Sequence, residues 1–370
     1  MKASPAEALA GFIEVKATRL GGPSWRVRVQ CVRRPLAPLL LEGRAATPAL
    51  ARRLALVFSL CPAAQACAWE SAAELALTGV LSEKRRKARA AALQLEALGE
   101  HLRRLAIDWP AAFGLASAAE GRALQALSTL RARALAASGM TGSGLEALLS
   151  EALAAARSIL PIGKKACLAL TEALSLEEVM ERLGSLPAPL DAVMQRLQRL
   201  PGRLGRSRAP WLDIGSKAAR LELAPAMKAP GFSPAPRLLG RPAQTSALAR
   251  RHQAPVLADA ARRTSGCFTH SLAQLLELEL WSRGLEPPQR LLCGFSPEPG
   301  TGVSFAATAR GTLAFRTRIE RGLVREAACV SPTDWNFQPG GAAEEALGAI
   351  EAPDQEAWLA QARLVLLQLD

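Results

Sequence analysis

Tyrosine is absent from these 370 residues, aromatic residues make up 4% of them, and histidine occurs three times, at His101, His252 and His270. So few histidines leave little material for a His-centred catalytic constellation. The seven cysteines, at 31, 61, 67, 167, 267, 293 and 329, include no CxxC pair. That excludes a zinc ribbon and a thioredoxin-type motif, and an odd, scattered set fits free thiols in a reducing compartment. No phosphate-binding GxxxxGK, no GxSxG elbow and no HExxH occurs, which removes the common nucleotide-hydrolysing, esterase and zinc-protease readings. The uncharged run from Leu54 to Trp69 is interrupted by Ser59, Pro62 and Gln65 and falls short of the roughly 20 apolar residues a bilayer needs. No membrane span is expected. The N-terminus has neither the basic n-region nor the apolar h-region of a signal peptide, so a cytoplasmic location is expected.

What is present is helix-forming vocabulary. Hydrophobic residues make up 49% of the chain, enough to bury a large core. Ala, Leu, Arg and Glu dominate long stretches while β-branched residues are sparse. Apolar residues three or four apart predict helices over Ala49–Trp69, Glu83–Ala106, Gly121–Ala137, Ser143–Ile159, Leu176–Leu183, Ala247–Arg262, Thr269–Arg283, Ala342–Leu347 and Gln355–Leu369. Alternating patches at Gly11–Ala17 and Trp25–Val32, around Gly21 and Gly22, predict an N-terminal hairpin. A second β-rich patch runs from Val303 to Val330, with Gly311 and Gly322 placed to turn antiparallel strands. The expected class is mainly α (α+β), as a single domain over 1–370.

The net charge of +13 is local: between Arg196 and Arg251 stand twelve Lys or Arg against two acids, Asp213 and Glu222. Prolines 201, 210, 225, 230, 234, 236 and 242 fall in the same stretch and forbid one long helix. Residues 196–251 therefore read as a basic, Pro-rich linker or wrapping segment. Trp211 and Phe232 are its only aromatics, too few for a nucleic-acid platform. An acidic protein partner or plain solubility is the better reading, and no nucleic acid is expected.

Near the C-terminus the chain reads Ser331, Pro332, Thr333, Asp334, Trp335, Asn336, Phe337, Gln338, Pro339, then Glu344, Glu345, Ala346, Leu347, and at its last position Asp370. This resembles the final stretch of nickel-iron hydrogenase large subunits, where a PTxWN segment and an ExAL helix lead into a DPCxxC metal-binding motif. Asp370 matches the Asp, and the two cysteines after it are expected to have no counterpart. Ala309, Arg310, Gly311, Thr312, Leu313 resembles the family's APRGxLxH, with Phe315 at the histidine position. Gly43, Arg44 and then Cys61 resemble the region of the first metal-binding motif. That alignment puts Phe58 at the first cysteine position, Leu56 at an arginine, Gln65 at a histidine, and Pro38 near the acid of an upstream RGxE. The resemblance implies a helical hydrogenase-like body with small sheets from both ends of the chain. It also implies that the arginine at 310 would lie over the cyanide and carbonyl ligands of an iron.

Holding nickel and iron together takes bridging thiolates, whose softness selects such metals, and Cys61 alone does not supply them. Hydrogen turnover is therefore not expected, and no nickel. A degenerate large subunit that keeps one active-site cysteine resembles the HupK-type (also HoxV-type) hydrogenase expression/formation proteins. This implies a non-catalytic maturation factor that holds an iron fragment with cyanide and carbonyl ligands in passing. Cys61 would be the metal ligand, and Arg310 would donate charge-assisted hydrogen bonds to the cyanide nitrogens. A cation beside the thiol would also favour the thiolate. The implied partners are a maturation chaperone and the large-subunit precursor. Two alternatives stay open: a metal-free chaperone mimicking the large subunit, and a structural subunit of a complex I-like assembly, whose quinone-site tyrosine this chain lacks. Cys67, Cys293 and Cys329 read as structural, as do Trp335 and Asn336. His101 reads as a satisfied helix histidine, and Lys84–Lys87 as a solvated helix face.

Overall fold

A computed structural model describes residues 11–369, apart from 59, 116–119, 141, 160–169, 187, 213, 230 and 285. Ser59, Cys167, Asp213 and Asp370 therefore lie outside the described residues. Strands β1 (Phe12–Gly21) and β2 (Ser24–Val32) form the expected hairpin. Along β2, Val27, Val29 and Cys31 are buried and their neighbours exposed, the period of a sheet with one covered face. That face meets the C-terminal part of the chain. The Val29 amide donates to Glu344 Oε2 at 2.9 Å, the Trp25 indole donates to the Ala352 carbonyl at 3.2 Å, and Trp25 and Trp358 pack at 5.6 Å between ring centroids.

The second sheet is a four-stranded antiparallel meander of β3 (Leu292–Glu298), β4 (Thr301–Thr308), β5 (Gly311–Glu320) and β6 (Leu323–Val330). The reading from Val303 to Val330 captured β4 to β6 and missed β3, whose Gly294 and Pro297 disguise a strand. The Pro62–Thr78 helix lies on this sheet and is buried almost all round. Close approach needs small residues at the contact. Ser304 Oγ donates to the Ala68 carbonyl at 2.6 Å, and a Cβ at Gly302 would collide with the Ala72 carbonyl oxygen. Gly43 and Arg44 pair by backbone with Val324 on the rim of β6, at 2.9 Å in each direction.

Helices Ser143–Ile159, Leu176–Leu183 and Gln355–Leu369 begin and end where the periodicity puts them. Two expected helices are each two. Ala49–Trp69 is broken into Pro48–Val57 and Pro62–Thr78, and Ala247–Arg262 into Ala247–Arg251 and Pro255–Arg263. In both cases a proline starts the second helix, and the residue before it is pushed out of the helical region: Cys61 has φ −139° and ψ 58°, Ala254 φ −65° and ψ 128°. The Glu83–Arg103 helix passes into a π-turn over Arg104–Asp108, so Ala106 falls in that wider turn. The Arg196–Arg251 segment carries a short helix, Lys217–Ala226, and presses Leu212, Leu223, Met227 and Leu238 into a second core cluster. There they meet Val303, Phe305, Val330 and Trp335 from the sheet and its C-terminal flank. Among the described residues no helix is long and apolar enough to cross a membrane.

Candidate functional site

Cys61 sits in the break between two helices, as the residue before the first turn of Pro62–Thr78. The orphan amides of that turn are met by a side chain from another helix: Glu96 accepts from Ala63 N at 2.6 Å and from Ala64 N at 3.0 Å. Burial pushes the Glu96 carboxyl up to about 7, against the pull of those two backbone hydrogen bonds. One turn along, Gln65 donates from Nε2 to Cys61 Sγ at 3.9 Å, while its Oε1 accepts from Cys329 Sγ at 3.6 Å. Gln65 thus bridges two thiols far apart in sequence. Cys329 stands on β6 opposite Phe315 of β5, and was read as structural only. Nothing local could have paired it with Cys61.

Burial pushes the Cys61 thiol up to about 12, the Glu96 carboxylate adds to this, and Arg310 and Arg33 pull the other way. The cation expected to favour the thiolate does act on Cys61, but desolvation outweighs it. The thiol is therefore protonated in the metal-free protein, and a soft metal would have to displace the proton. The Cys329 thiol is likewise raised, first by burial and then by Asp334 and Cys61.

Arg310 occupies the turn from β4 to β5. Its amide donates to Thr308 Oγ1 at 3.2 Å, and its guanidinium pairs with Glu100 at 3.4 Å. Gly311 follows because Thr245 passes too close for a side chain, and its φ of +137° suits glycine. Thr245 is itself held: Oγ1 accepts from Thr312 N at 2.9 Å, and its amide donates to Asn336 Oδ1 at 2.9 Å. Asn336 also donates to the Leu369 carbonyl at 3.1 Å, and the fully buried Trp335 meets Phe232 edge-on at 6.3 Å. Both organise the fold, as read.

Beside this niche opens a cavity of about 550 Å³ lined by Phe58, Gln65, Cys329, Arg33, Pro38 and Asp334. Phe58, Gln65 and Pro38, the positions where the resemblance put a lost cysteine, histidine and acid, line this one space. Leu56 does not: it is 82% exposed. Cys67 is fully buried in the core. Among the described residues no three His, Cys, Asp or Glu side chains converge to hold a metal ion. His101, read as a satisfied helix histidine, is on a helix and fully buried, bonded to Glu277 at 2.9 Å and stacked on Trp281 at 5.8 Å. Lys84, Arg85 and Lys87 are solvated, whereas Arg86 is half-buried.

No family model matches the sequence. Hydrogenase expression/formation protein HupK of Rhizobium leguminosarum bv. viciae is 30% identical over 379 residues, covering 97% of this chain and 90% of that protein. The chain belongs to the HupK family of hydrogenase expression/formation proteins. HupK of Azotobacter vinelandii is 30% identical over 365 residues, covering 92% of this chain and 90% of its own. HupV of Azotobacter chroococcum mcd 1, with the same description, is 29% identical over 381 residues. The fold is that of nickel-iron hydrogenase large subunits. An NAD+-reducing nickel-iron hydrogenase in the H2-reduced state aligns with TM-score 0.60 at 16% identity, covering 99% of this chain and 96% of that one. The nickel-iron-selenium hydrogenase of D. vulgaris Hildenborough aligns with TM-score 0.57 at 14% identity, covering 97% and 98%. This HupK-family chain thus has a large-subunit fold in which Gln65 joins Cys61 to Cys329.

Proposed function

We propose that the protein is a non-catalytic scaffold in nickel-iron hydrogenase maturation, holding an iron fragment with cyanide and carbonyl ligands as cargo before it passes to the large-subunit precursor. Cys61 supplies the thiolate that grips the iron, and Arg310 supplies charge-assisted hydrogen bonds to the cyanide nitrogens. The observation that carries this reading is that one helix of a large-subunit fold, Glu83–Arg103, holds both residues: Glu96 takes the amides next to Cys61, and Glu100, one turn on, pairs with Arg310. A thiol that must shed a proton to bind suits a grip that can be released. The partners are a maturation chaperone that brings the fragment and the precursor that receives it, in a reducing, cytoplasmic setting.

Infrared spectroscopy of protein purified from a maturation-competent host tests the reading. Cyanide and carbonyl stretching bands are expected, and are expected to vanish in Cys61→Ser. No such bands, or bands unchanged in the variant, reject it. The buried, protonated thiol also favours a second reading, a metal-free mimic of the large subunit that docks assembly partners. Full hydrogenase maturation in cells carrying Cys61→Ala selects that one.

A further inference from the structure

The basic segment has a destination that the maturation reading leaves unused. A second cavity, of about 900 Å³, is lined by Arg86, Arg220, Arg250, Arg251 and Arg290, with Trp211 among its walls. Three of these arginines share two acids. Arg250 and Arg251 both pair with Glu277, Arg251 and Arg290 both pair with Glu286, and Glu277 also bonds His101. Arg86 reaches Glu83 on its own helix. The Arg220 guanidinium makes no hydrogen bond or ion pair with any described residue. Among the described residues the walls therefore hold more positive charge than their acids neutralise.

Two guanidinium nitrogens, Arg86 Nε and Arg250 Nη1, are buried without a hydrogen-bond partner among the described residues. Leaving a buried charged donor unmet is costly, so such groups ask for an acceptor. Both arginines line the cavity. The Trp211 indole offers a flat surface, backed by His252 at 6.0 Å and His270 at 6.3 Å. Ile214 and Leu291 add apolar wall. The volume lies in the range of small-molecule sites, about 300–1,000 Å³.

We propose that this cavity binds a small phosphate ester carrying a flat ring, of the nucleotide class. The arginine forks hold the phosphate oxygens two at a time and Trp211 meets the ring. A glycine-rich phosphate loop is not required, since side-chain forks take the place of backbone amides.

Titration calorimetry of the full chain with inorganic phosphate, AMP, ATP and an oligoglutamate peptide tests the proposal. One molecule of AMP or ATP is expected to bind per chain, at least about tenfold more tightly than phosphate alone. Arg220→Gln is expected to weaken nucleotide binding about tenfold or more, the loss of one charged hydrogen bond. Its melting temperature should stay unchanged, because that side chain has no described partner to lose. Arg290→Gln, whose side chain is 68% exposed, serves as the second variant and should weaken binding in the same direction. Cys61→Ser should bind nucleotide like the parent, which keeps this test separate from the iron reading. No binding of either nucleotide, phosphate binding as tightly as AMP, affinity indifferent to both arginine variants, or saturation by the peptide alone would each overturn it.

Discussion

Glu96 shows how one carboxyl can serve a helix and tune a thiol together. It accepts from the two amides that open the Pro62–Thr78 helix, and its charge opposes ionisation of Cys61. Burial raises its own pKa to about 7 from an ordinary 4.5. Between those values the folded protein keeps a proton that the unfolded chain has released, so stability falls as pH rises through this window. Below it the penalty is absent, and above about 7 it is complete. Glu96→Gln keeps an acceptor but cannot ionise. Chemical denaturation at pH 5 and pH 8 is expected to show the parent losing a few kcal/mol relative to the variant, at about 1.4 kcal/mol for each tenfold in proton affinity. An equal pH slope in the two proteins would mean that Glu96 ionises as it would in water. Cys61 and Arg310 were both visible in the sequence as candidates. Glu96 and Cys329 were not, because their link to Cys61 is made by tertiary packing; Gln65, one turn from Cys61, meets Cys329 across 264 positions.

At the scale of elements, contact distance between helix and sheet is set by glycine. The Pro62–Thr78 helix carries Ala63, Ala64, Ala68, Ala72, Ala73 and Ala76 toward its neighbours, and Gly302 on β4 lets its backbone come closer still. Gly302→Ala is expected to force these layers apart and destabilise the protein by about 3 kcal/mol or more, read as a lowered denaturation midpoint. A variant as stable as the parent would show that the layers shift freely. Long amphipathic helices were legible to the residue because solvent on one face preserves their period, as in Ser143–Ile159. Pro62–Thr78 is buried nearly all round, so its period is silent, and the alanine-rich run hid the break before Pro62. In the Pro-rich segment, Leu223 and Met227 stand four apart at the end of the short Lys217–Ala226 helix while Leu212 and Leu238 come from the irregular chain on either side of it, and only the fold shows that they share a core.

For the whole molecule, the hydrogenase-like architecture was legible from a few blocks, above all Pro332–Pro339, where Ser331 and Asp334 cap a short helix and Asn336 joins Thr245 to Leu369. What no pattern revealed is the joining of the first hairpin to the last helices. Trp25 and Trp358 are a measurable part of that joint. A double-mutant cycle with Trp25→Ala and Trp358→Ala is expected to give a coupling of about 0.5–1.5 kcal/mol, and strict additivity would show that the rings do not support each other.

The hairpin joint also bears on how the protein is made. β1 and β2 leave the ribosome early, yet Glu344, which takes the Val29 amide, is translated 315 residues later, and Ala352 and Trp358 follow it. The nascent hairpin therefore waits with its inner face open until Glu344 to Trp358 have emerged, and any helper that recognises the closed shape meets only chains translated that far.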